Sequence, residues 1–167
     1  YTIASKNEII IKRDYLIKEI WEDDILMNNA YFKSKCPEYQ ALLHLGRIEI
    51  KPLADIVKIL QEDIQATGVS TFGAYNVSFD LDALMQTVNF IYPDTFKMIY
   101  RQTNSGKYAP DTTKFCQKYI FRKNLEIIDI WTMACQTLCN QKTFQTYYLE
   151  ETARGNIKSN AEIVYNY

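Results

Sequence analysis

Ala74-Tyr75-Asn76-Val77-Ser78-Phe79-Asp80-Leu81-Asp82-Ala83-Leu84 is the stretch that decides the fold. Before it, Val69-Ser70-Thr71-Phe72-Gly73-Ala74 is short, β-leaning and bounded by Gly68. After it, Leu81, Leu84, Met85 and Val88 recur at helical spacing and mark one apolar face. The stretch therefore reads as a buried strand, a turn at Asn76 and then a helix. Asp80 falls in the first helical turn, close to the C-terminal end of the strand, where open α/β sheets place their ligands. Taken alone, the acid reads first as a complement to the helix dipole. A ligand-facing carboxylate is the competing reading.

The neighbouring segments extend this α/β pattern in both directions. Leu53, Ile56, Val57, Leu60 and Ile64 give the clearest amphipathic helix, which ends at Thr67-Gly68 and feeds the strand over 69–74. Leu125-Glu126-Ile127-Ile128 reads as another short strand. Asp129 caps the helix that follows, which is expected to bury Trp131, Ala134, Cys135 and Leu138. Asp129 is read as a cap and not as a catalytic group. Phe79 is expected to pack its helix onto the sheet.

Toward the start, residues 1–5 read as a strand, Lys6-Asn7 as a turn and residues 8–20 as a second, longer strand. Glu22-Asp23-Asp24 announces a helix, and another starts near Pro37, burying Tyr39, Leu42 and Leu43 and stopping at Gly46. His44, the single histidine, reads as surface or packing. Residues 47–51 form a short extended connection.

Residues 94–124 interleave aromatics (Phe96, Tyr100, Phe115, Tyr119, Phe121) with basic residues (Arg101, Lys114, Lys118, Arg122). The two readings are a helix with a basic outer face, starting near Asp111-Thr112, and a base-stacking, phosphate-holding surface. The first is preferred, because the aromatics fit a core equally well. Further on, residues 142–149 read as a helix and Arg154-Gly155-Asn156 as a turn. Ser159-Asn160-Ala161-Glu162 reads as a capping box.

Composition bounds the classes. A chain of 167 residues, 47% hydrophobic and 23% charged, suits one soluble domain spanning 1–167. No apolar run approaches membrane-spanning length. Four cysteines lack metal-site spacing, and buried thiols in a reducing, cytoplasmic compartment are the expectation. The net charge of −1 excludes a strongly basic nucleic-acid wrapper. The charge is uneven, however: residues 1–100 carry net −4 and residues 101–167 net +3. A modest basic part of this kind can hold a few phosphates.

Asn76-Val77-Ser78-Phe79-Asp80 resembles the N-x-x-F-D second motif of the DEDD superfamily of 3′–5′ exonucleases, which includes polymerase proofreading subunits. The resemblance is nearest to the phage and prophage branch. Lys18-Glu19-Ile20-Trp21, Ile128-Asp129-Ile130-Trp131 and Gln141-Lys142-Thr143 supply three more blocks in the same order. It implies an RNase H-like fold, a five-stranded mixed sheet flanked by helices. It implies hydrolysis at single-stranded DNA or RNA 3′ ends by two Mg²⁺ or Mn²⁺ ions roughly 3.5–4 Å apart. Asp80 would be the catalytic metal ligand and Asn76 would touch the terminal nucleotide.

The same resemblance implies a D-x-E on a first, central strand and an H-x-x-x-x-D near the end, neither of which lies in 1–167. The expectation is therefore a domain missing its first strand and its C-terminal helix region. Asp82 cannot replace a lost ligand, because side chains two apart on a helix point about 200° apart. Two other readings stay open. One is an inactive RNase H-like module that binds nucleic acid or a host protein. The other is a helical interaction domain unrelated to nucleases. If 1–167 were the whole domain, the missing central strand is expected to leave it poorly stable or to make it recruit a partner strand or a second copy.

Overall fold

The computed structural model describes residues 1–30, 33–103, 111–138, 140–142, 150–151 and 157–158. The chain is mixed α/β and gathers into two compact units. The first comprises Tyr1–Val69 with Ile120–Arg122, and the second Ser70–Tyr119 with Lys123–Tyr167. No helix among the described residues is long and apolar enough to cross a membrane.

The first unit opens with a hairpin, β1 (Thr2–Ala4) antiparallel to β2 (Ile9–Lys12). Its pairing continues to Arg13, whose N–H donates to the Tyr1 carbonyl at 3.0 Å and whose carbonyl accepts from Tyr1 N at 2.8 Å. There the chain changes partner. The Asp14 carbonyl accepts from Glu49 N at 3.3 Å, and β3 (Tyr15–Ile17) runs parallel to β4 (Glu49–Lys51). The single long strand expected over 8–20 is thus two strands in two ladders. It then closes into a helical turn, α1 (Lys18–Trp21). The alternating Ile and Tyr residues suit either ladder, so their pattern carries no sign of the switch.

Between β3 and β4 lie α2 (Asp24–Asn29), a 3₁₀ turn (Lys33–Lys35) and α3 (Cys36–His44). The acidic run caps as expected, with Asp23 Oδ1 accepting from Ile25 N and Leu26 N, both at 2.9 Å. Tyr39, Leu42 and Leu43 are half-buried and His44 is exposed. Gly46, at φ +64°, stops α3: its N–H bonds the Leu43 carbonyl and Arg47 N bonds the Leu42 carbonyl.

The helix α4 (Leu53–Thr67) follows and ends at Gly68, φ +68°. Its first N–H, on Leu53, donates to the Glu19 carboxylate at 3.0 Å, so an acid from α1 supplies the negative charge its N-terminus favours. Leu53 and Ile64 are buried, and Ile56, Val57 and Leu60 half-buried, on the expected face. Asp63 is buried too, and three groups meet there. Arg13 holds it through Nε (2.6 Å) and Nη2 (3.0 Å), and the Tyr1 hydroxyl donates to it at 2.5 Å.

The second unit is built on β5 (Thr71–Ala74) parallel to β6 (Glu126–Asp129). The crossover contains α5 (Val77–Ile91), α6 (Pro93–Thr103) and α7 (Thr112–Phe115), and α7 runs on into a π-helical turn over Cys116–Phe121. Asp111 caps α7 through Lys114 N at 3.0 Å. Val77, Leu81, Met85 and Val88 of α5 are buried; each such side chain stabilises by roughly 1.5–3 kcal/mol. Ile99 and Phe115 are also buried, and Phe115 stacks between Phe96 (5.4 Å) and Tyr119 (5.8 Å). The aromatics of this segment therefore build a core and not a stacking surface.

After β6 comes α8 (Ile130–Leu138), with Asp129 Oδ1 accepting from Trp131 N and Thr132 N, as a cap should. Trp131 is 40% exposed, against the expectation that it is buried; only Ala134, Cys135 and Leu138 are half-buried there. A two-residue ladder, β7 (Glu150–Glu151) with β8 (Ile157–Lys158), completes the described strands. These strands pair two by two and not as one five-stranded sheet. The helix expected over 142–149, the turn at 154–156 and the capping box at 159–162 fall outside the described residues, apart from Lys142.

Candidate functional site

The site is built at the C-terminal ends of β5 and β6. The two strands are parallel and in register from Thr71↔Glu126 to Ala74↔Asp129, so they end level. A helix starts immediately beyond each. Both helix N-termini therefore rise from the same edge of the sheet; that of α8 is capped by the Asp129 carboxylate, whereas that of α5 has no side-chain cap and favours an anion.

Asn76 makes the turn into α5 with φ 62° and ψ 59°. Few residues other than Gly accept that left-handed conformation, and Asn is one of them. Its carbonyl accepts from Phe79 N at 2.9 Å, closing the first turn. Its side-chain oxygen accepts from the Ser78 hydroxyl at 3.1 Å and caps no backbone amide. The residue is exposed, and the side-chain N–H₂ has no partner among the described residues. A backbone held in this region and a side chain left outward are features that cluster at ligand sites.

Asp80 sits one turn further on and is half-buried. Its carboxylate forms no ion pair and no side-chain hydrogen bond among the described residues. Burial raises its pKa above the usual carboxylate value, with a smaller opposing contribution from its own backbone amide. The contrast with Asp63 is direct. Hydrogen bonds from Arg13 hold Asp63 below the usual value despite burial, and the Tyr1 hydroxyl assists. The buried Asp63 is held by partners; the half-buried Asp80, in the first turn of α5, has no side-chain partner among the described residues.

Phe79 is 62% exposed, so it does not pack α5 onto the sheet. The buried face of α5 runs through Val77 and Leu81, and a residue two away from each points to the opposite side. The same geometry that separates Asp82 from Asp80 could have placed Phe79 outward from the sequence. The site thus gains a solvent-facing aromatic ring between Asn76 and Asp80 in sequence.

Other polar groups nearby are engaged or inert. Tyr75 has its phenol pKa raised by burial, then by Cys135 and Asp129. Cys116 donates to the Leu81 carbonyl at 3.5 Å, and burial pushes its thiol up to about 12, with Asp82 adding to the shift. A thiol so held is a packing group and not a nucleophile.

A two-ion centre needs several oxygen ligands around hard cations. Among the described residues, no three His, Cys, Asp or Glu side chains gather closely enough to hold an ion. Asp80 offers one hard donor, and Asp129 has one oxygen committed to its cap. The described residues by themselves do not make up the ligand set. Comparisons with protein-family models, with curated proteins and with solved structures find no match for the chain.

Proposed function

We propose that the chain is an RNase H-like 3′–5′ exonuclease domain acting on single-stranded 3′ ends of DNA or RNA, dependent on Mg²⁺ or Mn²⁺. One observation carries this reading: a half-buried Asp80 with no side-chain partner among the described residues, in the helical turn that follows β5, with exposed Asn76 and Phe79 in the same turn. Each group has a task there. The Asn76 amide would hydrogen-bond the terminal nucleotide, and the Phe79 ring would stack on its base. The α5 N-terminus would attract the phosphate. Asp80 repels a phosphate unless a cation lies between them, which is why metal dependence belongs to the proposal. The remaining carboxylates would come from outside the described residues, and no hydrolytic step is assigned to Asp80 alone.

A second reading also has an observation behind it. It is a module that binds nucleic acid or a partner protein without cutting it. Parallel pairs only two strands wide leave edges that a second copy or a partner strand could complete.

Incubation of the full protein with a 5′-labelled single-stranded oligonucleotide in Mn²⁺ separates these readings. The exonuclease proposal expects stepwise shortening that Asp80→Asn abolishes. It also expects that variant to bind the oligonucleotide at least as tightly without metal, because a like charge is gone. Binding without shortening leaves the module reading. Shortening that survives Asp80→Asn overturns the assignment of this site.

A further inference from the structure

An open cavity of about 910 Å³ is lined wholly by residues of the first unit. Its volume falls in the upper part of the range of about 300–1,000 Å³ seen for small-molecule sites. The chain from Lys12 to Ile17 forms one wall; α3, the turn into β4 and Ile56 of α4 form the others. Three aromatic residues, Tyr1, Tyr15 and Tyr39, line it together with aliphatic side chains.

The polar groups on its wall separate into engaged and unengaged. Arg13 and the Tyr1 hydroxyl are bound to Asp63. Lys12 pairs with Asp14 at 3.8 Å, and Glu49 with Lys51 at 2.8 Å. Among the described residues, the Arg47 guanidinium and the Tyr15 hydroxyl make no hydrogen bond or ion pair. Arg47 is nevertheless fixed at its root, since its N–H donates to the Leu42 carbonyl at 2.9 Å in the turn that ends α3. Tyr15 is fixed by the β3–β4 ladder, with Lys51 Nζ 5.8 Å from its ring centroid. The wall therefore carries, beside the tyrosines that line it, an exposed Arg47 whose guanidinium has no partner among the described residues.

We propose that this cavity binds a nucleoside monophosphate, with Arg47 taking the phosphate and the tyrosine walls taking the base. A guanidinium matches phosphate with two parallel hydrogen bonds. Planar bases stack on aromatic rings whatever their sequence. The proposal stands independently of the reading of Asp80, because no residue is shared between the two sites.

Calorimetric titration of the full protein with adenosine 5′-monophosphate in EDTA tests it. The expected result is one saturable site, with inorganic phosphate binding at least about tenfold more weakly. Arg47→Gln lowers the affinity by about tenfold or more and Tyr15→Leu lowers it by several-fold. On the unaltered protein, the nucleotide slows amide exchange at residues 12–17 and 47–49, a readout that needs no variant to fold. Absence of binding at about millimolar nucleotide overturns the proposal. So does equal affinity for phosphate alone, or affinity kept with Arg47→Gln.

Discussion

Ala74 and Asp129 face one another as the last register pair of the parallel β5–β6 ladder, so the helices α5 and α8 begin from one level edge. Asp80, just inside α5, is desolvated without a compensating partner among the described residues, and its pKa is raised. The sign follows from linkage. A carboxyl whose folded pKa exceeds its unfolded pKa opposes folding when ionised, and that penalty fades as pH falls through the raised value. Asp80→Asn is therefore expected to raise the melting temperature at pH 7. The gain should shrink as the pH approaches the ordinary carboxylate range. Thermal melts of both proteins across pH check this; a variant less stable at pH 7 would contradict it.

Asp63 has the opposite sign. Its pKa is lowered, chiefly by Arg13, so its contribution is present above the ordinary carboxylate pKa and lost as pH falls through the lowered value. Asp63→Ala leaves the Tyr1 hydroxyl and the Arg13 guanidinium without their acceptor, at a cost of about 1–3 kcal/mol. Arg13→Ala destabilises as well, more at neutral pH than in acid, because it strands a buried carboxylate. Urea titrations at neutral and acid pH measure both effects.

Two glycines should respond in opposite ways. Gly68 ends α4 at φ +68°, where a Cβ meets no obstacle but the backbone itself is strained. Gly68→Ala is expected to cost roughly 1–2 kcal/mol. Gly73 lies in β5 without a positive φ, and an added Cβ would meet Ile130 Cδ1 at 3.6 Å, an ordinary contact. Gly73→Ala is expected to be neutral or stabilising, by up to about 1 kcal/mol. Denaturant midpoints of the two variants should fall on opposite sides of, or at, the parent value.

Phe79 separates folding from binding. Its ring is mostly exposed, so Phe79→Ala should change stability by less than about 0.5 kcal/mol. If it stacks a base, the same variant loses about 1–3 kcal/mol of oligonucleotide affinity. Fluorescence anisotropy with a single-stranded oligonucleotide, alongside a thermal melt, reads both quantities.

Helices and caps were legible in the sequence because local chemistry sets them. The face Leu53–Ile56–Leu60–Ile64, the stops at Gly46 and Gly68 and the caps Asp23, Asp111 and Asp129 depend only on neighbours a turn away. The change of partner after Arg13 involves β4, about 34 positions on, and Asp63, 50 positions from Arg13, and no local pattern announces it. The π turn over Cys116–Phe121 was hidden for a similar reason. Its Gln117 side chain donates to the Leu125 carbonyl at 2.8 Å, and Lys123 N bonds the Gln117 carbonyl at 3.0 Å. Asp80 and Asn76 could be picked out by type and position. The exposure of Phe79 follows from helical geometry, whereas that of Trp131, which shares a helical face with Ala134, Cys135 and Leu138, does not, and there the structure corrects the expectation.

The handover between Arg13 and Asp14 makes a seam in the backbone. On one side the register is counted against β1, on the other against β4, and neither count runs through the joint. One residue inserted at the seam leaves every side chain on its own face, whereas the same insertion at Ile10 or Leu16 turns part of a ladder inside out. The peptide link after Arg13 is thus a place where this unit can absorb a change in length.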